Sequence, residues 1–204
     1  MSRKHSRAAL EDLLEFARRN GATNAKVIDA KDVVVDKRVR LKCSVPVCSS
    51  YGRNLMCPPN VMSVDEFAKV LSLYEKAILV QIETDTDSSD KSKRRLDSRL
   101  CEELDRSTDS GHWQRKLHRL VNSLETEAFK KGFYLAAALT GGECSLCAAC
   151  VSLKSKSSCR HPFEARPSME AMGIDVIKTC KKALTPVSLS SRRKVRWTGI
   201  VLLY

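Results

Sequence analysis

The amino-acid sequence predicts an α/β fold: a single-domain layered sheet with helices, and with cysteine-rich loops at strand ends. Segments with helical apolar spacing alternate with short apolar runs of strand length along almost the whole chain. At 204 residues the chain is long enough to bury a hydrophobic core. Seven of the nine cysteines fall in two short segments that are predicted to be loops. We therefore expect one cysteine-rich domain over residues 1–204.

The first half of the chain is predicted to alternate helices with strands. The first helix has an apolar face at Leu10, Leu13, Leu14 and Ala17. Gly21 is a plausible end for this helix. Ser63 and Glu66 have the spacing of a capping box, which predicts that a second helix begins there. Strands are predicted at residues 25–28, 33–35 and 77–82.

The second half is predicted to continue this alternation. Residues 84–95 are polar and are expected to form a surface insertion without stable structure. A long helical region follows, with an interruption near residues 109–111 and an end at Gly132. A further helix is predicted to begin at Ser168 and to end before Pro186. Strands are predicted at residues 133–139 and 194–204.

The second cysteine segment has the spacing of an iron–sulfur ligand set. Cys144, Cys147 and Cys150 form an uninterrupted C-x2-C-x2-C triplet, and Cys159 lies further along the chain. Such a triplet can hold three corners of a 4Fe-4S cube, with a more distant cysteine as another ligand. Zinc is the alternative metal, although structural zinc sites usually take their cysteines as two separated pairs. His161 is predicted to hydrogen-bond or pack beside this loop rather than to bind metal.

A second candidate metal site lies in the predicted loop over residues 42–59 and consists of Cys43, Cys48 and Cys57. The alternative interpretation is a loop whose thiols are merely buried. Three thiolates leave one corner of a cube open, and water, a substrate atom, His, Asp or another Cys are candidates for that corner. Cys159 is a candidate ligand for either site. Arg53 is placed to hold an anionic ligand near this open corner.

The two remaining cysteines are predicted to lie outside the metal sites. Cys101 falls in a charged helical segment without a nearby cysteine. Cys180 lies between Val176 and Leu184 at helical spacing, which favours packing in the core.

The charge of the chain favours acidic partners. The formal net charge is +12, so we expect an acidic redox partner protein to be attracted to the surface. Nucleic acid is a weaker candidate, because only 5% of the residues are aromatic and the basic runs at residues 91–95 and 192–196 contain few stacking side chains. No segment has the ~20 apolar residues of a membrane span. The N-terminus has no signal-peptide core, so a cytoplasmic location is expected.

Three segments together resemble a known family. They are Tyr-Gly-Arg-Asn-Leu-Met-Cys-Pro-Pro at residues 51–59, Cys-Ser-Leu-Cys-Ala-Ala-Cys at residues 144–150, and Cys-Arg-His-Pro-Phe-Glu-Ala-Arg-Pro-Ser-Met-Glu-Ala-Met-Gly-Ile-Asp at residues 159–175. The chain resembles, from about residue 10 to residue 204, the predicted metal-binding proteins of domain of unknown function 2284, found mainly in archaea and anaerobic bacteria. The resemblance implies cytoplasmic metal or iron–sulfur binding through the seven clustered cysteines, and it implies no particular reaction.

These observations predict an iron–sulfur protein with one or two 4Fe-4S clusters, which acts in electron transfer or in redox-linked chemistry at an open-site cluster. The alternative is a zinc-stabilised binding module for protein or nucleic acid. A third class is an enzyme whose unligated iron binds a substrate. The sequence does not decide whether the protein is an enzyme. Nucleotide-binding glycine motifs, H-E-x-x-H and the C-x3-C-x2-C of radical S-adenosylmethionine enzymes are all absent from the sequence.

Overall fold

The structure is a computed structural model that describes residues 7–85, 108–151, 157–187 and 194–204. Its four strands are β1 (Asn24–Asp29), β2 (Lys76–Asp85), β3 (Ala137–Leu139) and β4 (Lys194–Leu203). Its helices are α1 (Arg7–Arg19), α2 (Lys37–Ser44), α3 (Val64–Leu71), α4 (Thr108–Lys130) and α5 (Val176–Lys182). The strands form one antiparallel sheet in the order β1-β2-β4-β3, with helices packed against it. The predicted α/β class is confirmed.

One face of the sheet is covered by α1 and α4. Ile78, Val80 and Ile82 of β2 point to this face and pack with the apolar stripes of the two helices. The contact between α4 and β4 is close, because a Cβ added at Gly199 would lie 2.7 Å from Val121 Cγ1. A larger residue at position 199 would therefore push α4 away from the sheet.

The opposite face of the sheet is also buried. Ala77 and Leu79 of β2 point to this side, where they join a second apolar cluster with Phe67 of α3 and with Met169. Burial on both faces explains why residues 77–80 are continuously apolar instead of alternating with polar residues. The segment that follows the second cysteine loop is thus part of the core.

The predictions around the first cysteine segment need two corrections. Residues 33–35 do not form a strand, because the chain makes a short 3-10 helix at Ala30–Asp32 and Val35 forms only an isolated bridge with Ile174. Apolar spacing does not predict α2, since this helix is strongly basic and buries no residue completely. Its N-cap is Asp36, whose side chain accepts a hydrogen bond from the backbone N–H of Arg38 at 2.9 Å.

The helices of the second half also differ from the prediction. The expected interruption near residues 109–111 is wrong, because α4 is continuous from Thr108. The helix predicted to begin at Ser168 begins at Val176, since Gly173 has a φ of 84° and Asp175 caps α5.

The remaining differences concern two segments next to strands. The strand predicted at residues 133–139 is limited to Ala137–Leu139, because the chain first turns where the N–H of Ala136 donates to the carbonyl of Phe133. Thr84 and Asp85 belong to β2, and the rest of the polar insertion predicted at residues 84–95 lies outside the described residues. In the described parts of the chain, no helix has both the length and the apolarity needed to span a membrane.

Candidate metal centre

The second cysteine loop begins directly after β3 and is closed at its base by backbone hydrogen bonds. The N–H of Thr140 donates to the carbonyl of Pro167 at 3.0 Å, and the N–H of Met169 donates back to the carbonyl of Thr140 at 2.8 Å. Gly142 then turns the chain with a φ of 73°, and a Cβ there would lie 2.8 Å from Gln114 Nε2. The loop therefore leaves the sheet edge at a fixed position.

All four cysteines of this loop line one small cavity. Its walls are formed by Cys144, Cys147, Cys150 and Cys159, together with residues 54–56, Leu146, His161 and Ala165. Its volume of about 20 Å³ is close to that of one water molecule. The structure thus brings together four predicted ligands from two separate parts of the loop.

Backbone N–H groups point at three of these four sulfur atoms. The N–H of Leu55 donates to Cys150 Sγ at 3.4 Å, and the N–H of His161 donates to Cys159 Sγ at 3.4 Å. The backbone of Leu146 forms a further hydrogen bond with Cys144, which opposes the rise in the pKa of that thiol caused by burial. Such bonds favour the thiolate form that binds metals and are one of the features that set the potential of iron–sulfur clusters.

His161 lines the same cavity, and its ring lies against a carboxylate. Nδ1 of His161 is 3.2 Å from Oε2 of Glu164. The carbonyl of Glu164 lies 2.8 Å from His118 Nε2 and accepts a hydrogen bond from the Asn122 side chain at 2.8 Å. Helix α4 therefore holds the segment that follows Cys159.

The first three cysteines are arranged at the end of α2 and in the loop after it. Cys43 lies in the last turn of α2, and its carbonyl accepts a hydrogen bond from the N–H of Cys48 at 3.0 Å. Cys57 is buried, and burial raises its pKa to about 12, with further contributions from Glu143 and from the thiols of Cys48, Cys43 and Cys144. The N–H of Gly52 donates to the carbonyl of Pro58 at 2.8 Å, so one folded loop carries both Cys48 and Cys57. Cys48 remains exposed.

The two cysteine sets adjoin each other through Asn54. Nδ2 of this buried side chain donates to the carbonyl of Cys144 at 3.0 Å, and Oδ1 accepts from the N–H of Met56 at 2.9 Å. Asn54 was not predicted as a site residue, although it lies in the segment at residues 51–59 that carries the family resemblance. Residues 54–56 also line the cavity of the second set, so the two sets are neighbours.

Glu170 is a second residue that sequence reasoning missed. The residue as a whole is half-buried, but its Oε2 is buried and has no hydrogen-bond partner among the described residues. Burial raises the pKa of the Glu170 carboxyl, and hydrogen bonds from its own backbone, the Ser168 side chain and the backbone of Gly142 partly oppose this rise. The pKa of the Cys43 thiol is raised mainly by burial and by Cys48. The Glu170 carboxyl adds a smaller contribution in the same direction. A carboxyl group thus lies between the two cysteine loops.

A larger cavity lies next to Glu170, between α2, α5 and β4. Its volume is about 630 Å³, which is within the range of small-molecule sites. Lys42 of α2 and Trp197 of β4 are among its lining residues. Cys180 also lines it and packs with Thr198, so the structure places this cysteine in the core as predicted. Cys101 lies outside the described residues.

The fold and the site define a class of protein: an α/β scaffold whose loops gather seven cysteines beside one sheet. In the described ranges, no three His, Cys, Asp or Glu side chains lie close enough together to hold one metal ion. The model of the family described as predicted metal-binding protein (DUF2284) matches residues 26–203, and the chain belongs to this family. Comparisons with curated proteins and with solved structures give no match.

Proposed function

We propose that this metal-binding protein is an iron–sulfur protein whose cysteines Cys144, Cys147, Cys150 and Cys159 hold a 4Fe-4S cluster. The observation that carries the proposal is the shared cavity of these four cysteines, three of which receive backbone hydrogen bonds. Four thiolates from one compact loop fit the ligand requirement of such a cluster. A bound cluster would supply a one-electron redox centre.

The first cysteine set supports a second cluster with a different ligand pattern. Cys43, Cys48 and Cys57 supply three thiolates, so the fourth position needs another ligand. Residues 54–56 line the cavity of the second set and lead directly to Cys57, so the two proposed centres are adjacent and electrons can pass between them. Lys42, the residue before Cys43, lines the cavity of about 630 Å³. This cavity is large enough to admit a small molecule, which supports redox-linked chemistry at the first site.

The surface around the second loop suits an acidic partner. Arg53 and Arg115 border a shallow surface cavity that includes Cys147 and Cys150. Arg160 is exposed and donates to the carbonyl of Ala149 at 2.9 Å. Positive charge near a redox centre accelerates encounter with an acidic electron-transfer protein. We therefore place the docking of such a partner at this surface.

The proposal is tested by metal analysis of protein purified without oxygen. The expected preparation is brown and contains iron with a comparable amount of acid-labile sulfide, about eight irons per chain if both sites hold cubes. Zinc is colourless because its d shell is full. Stoichiometric zinc without sulfide would contradict the proposal and would support the zinc-stabilised binding module.

A further inference from the structure

The first cysteine set has three thiolates, and in its surroundings Glu170 has a buried carboxyl oxygen without a hydrogen-bond partner among the described residues. Glu170 lies in the turn between Ser168 and Gly173, where the N–H of Gly173 donates to the carbonyl of Glu170 at 2.9 Å. The N–H of Ile174 closes the same turn by donating to the carbonyl of Met169 at 2.9 Å. The backbone of Glu170 is therefore held in place.

Helix α2 is tied to this turn at the residue next to Glu170. Arg40 Nη1 donates to the carbonyl of Ala171 at 2.7 Å and to the carbonyl of Met62 at 3.2 Å. Cys43 lies three residues after Arg40 in the same helix, so the two side chains share one side of α2. This arrangement brings the first cysteine of the set towards Glu170.

The carboxyl group of Glu170 receives hydrogen bonds, but one of its two oxygen atoms has no hydrogen-bond partner among the described residues. Ser168 and the backbone of Gly142 supply hydrogen bonds to the group, whereas Oε2 is buried and unpartnered among the described residues. A buried polar atom without a partner is rare in folded proteins and calls for an explanation. Buried charges are paired with other charges or bind metals.

We propose that Glu170 is the fourth protein ligand of the metal site formed by Cys43, Cys48 and Cys57, and that it binds through Oε2. The inference rests on the proposed function, since it assigns the position that the three thiolates leave open. A carboxylate is a harder ligand than a thiolate, so the iron that it binds differs from the other irons of the cluster. Glu170 also lines the cavity of about 630 Å³, which places the proposed ligand next to a space large enough for a small molecule.

The test compares the iron content of variants prepared without oxygen. Glu170→Gln keeps the shape of the side chain but removes the charge, and we expect it to lower iron at the first site at least about tenfold. Cys57→Ser should lose the same iron, and the double variant should lose no more than Cys57→Ser alone. Glu143→Gln is the matched control, because Glu143 is another acidic residue that acts on this set. It should retain its iron.

Glu170→Cys tests whether another metal-binding side chain at this position restores iron binding, because cysteine supplies a thiolate in place of the carboxylate. It should retain iron, and its Mössbauer spectrum should lose the distinct signal of one iron that the wild-type protein shows. Loss of iron in both Glu170→Gln and Glu170→Cys, or an equal loss in Glu143→Gln, would overturn the inference. Wild-type iron and an unchanged spectrum in Glu170→Gln would refute it while leaving the proposed function intact. Absence of iron and sulfide from the wild-type protein would refute both.

Discussion

The buried thiols of Cys57 and Cys144 must lose their protons before they can bind a metal. Burial raises the pKa of both groups, for Cys57 to about 12, so both are protonated near pH 7 in the metal-free protein. Metal binding then releases protons. Acid opposes this release and base favours it, so metal affinity should rise with pH.

We therefore expect the apparent affinity of the metal-free protein for Co²⁺ to increase with pH between about 6 and 9, by up to about tenfold per pH unit for each proton released. Titration by visible absorption measures this slope. Cys57→Ser should have a smaller slope than the wild-type protein, because it has one proton fewer to release. An affinity that does not change with pH in the wild-type protein would contradict the expectation.

The proposed function distinguishes the clustered cysteines, assigned as ligands, from Cys180, which lies in the core. Replacing Cys147 by Ser should remove or labilise one cluster, because Cys147 lines the shared cavity. Cys180→Ala should leave the iron content per folded chain unchanged, since Cys180 is buried in the core. Cys101→Ser should also leave it unchanged. Iron analysis after gel filtration distinguishes these results, and loss of iron from folded Cys180→Ala would show that the ligand assignment is wrong.

At the residue scale, the sequence itself supplies the seven clustered cysteines as candidate ligands, because their spacing is a chemical signal. Asn54 and Glu170 could not be predicted in the same way. Their importance comes from burial and from contacts with residues far away in the chain, such as Asn54 with Cys144. A carboxyl group has no sequence signature that distinguishes a buried, unpartnered oxygen from a solvated one.

Among the elements, α4 holds the second cysteine loop in place. Glu125 of this helix accepts a hydrogen bond from the N–H of Ala138 at 2.9 Å and forms an ion pair with Arg166. Both side chains of the pair are mostly buried. Arg166 also donates to the carbonyls of Phe163 and Ala165. One carboxylate therefore links α4, β3 and the segment after Cys159.

Glu125→Ala should lower the free energy of unfolding by about 3 kcal/mol, because it leaves the Arg166 charge without its partner. It should also accelerate loss of the second cluster. Urea denaturation and the decay of visible absorption measure the two effects. Glu127→Ala is the control on the same helix, since its pair with the exposed Lys130 is worth less than about 1 kcal/mol. Equal destabilisation by the two variants would contradict this role of Glu125.

Helices with an apolar stripe or a capping box could be predicted from the sequence, whereas the start of α5 and the presence of α2 could not. The apolar stripe of α1 and the capping box at Ser63 each predicted a helix that the structure contains. Helix α2 has no such stripe, because its role is to carry Cys43 and to contact the turn at Ala171. The start of α5 depends on the conformation of Gly173, which tertiary packing determines.

At the scale of the whole molecule, the basic residues of α4 lie at different distances from the second cysteine loop. Arg115 borders the second cysteine loop, whereas Lys130 lies fifteen residues further along the helix, about 22 Å away by helical rise. The docking surface proposed above can therefore be tested against a matched position on the same molecule.

The double variant Arg53→Glu and Arg160→Glu should slow oxidation of the reduced protein by ferricyanide several-fold at low salt, because it reverses the charge that attracts the anion. Oxidation by the cation hexaammineruthenium should not slow. Lys130→Glu is the control and should have little effect on either rate. Stopped-flow absorption measures these rates, and equal slowing with both oxidants would contradict an electrostatic role for this surface.

The position of β4 in the sheet has a consequence for biosynthesis. This strand follows every other described element in the chain, yet it lies between β2 and β3 in the sheet. A ribosome adds about 5–20 residues per second, so the thiols of the first loop are made several seconds before β4. During that interval the nascent chain lacks the strand against which β2, β3 and α4 pack. Because the folded sheet needs β4, we expect metal binding to the folded site to follow the synthesis of this strand.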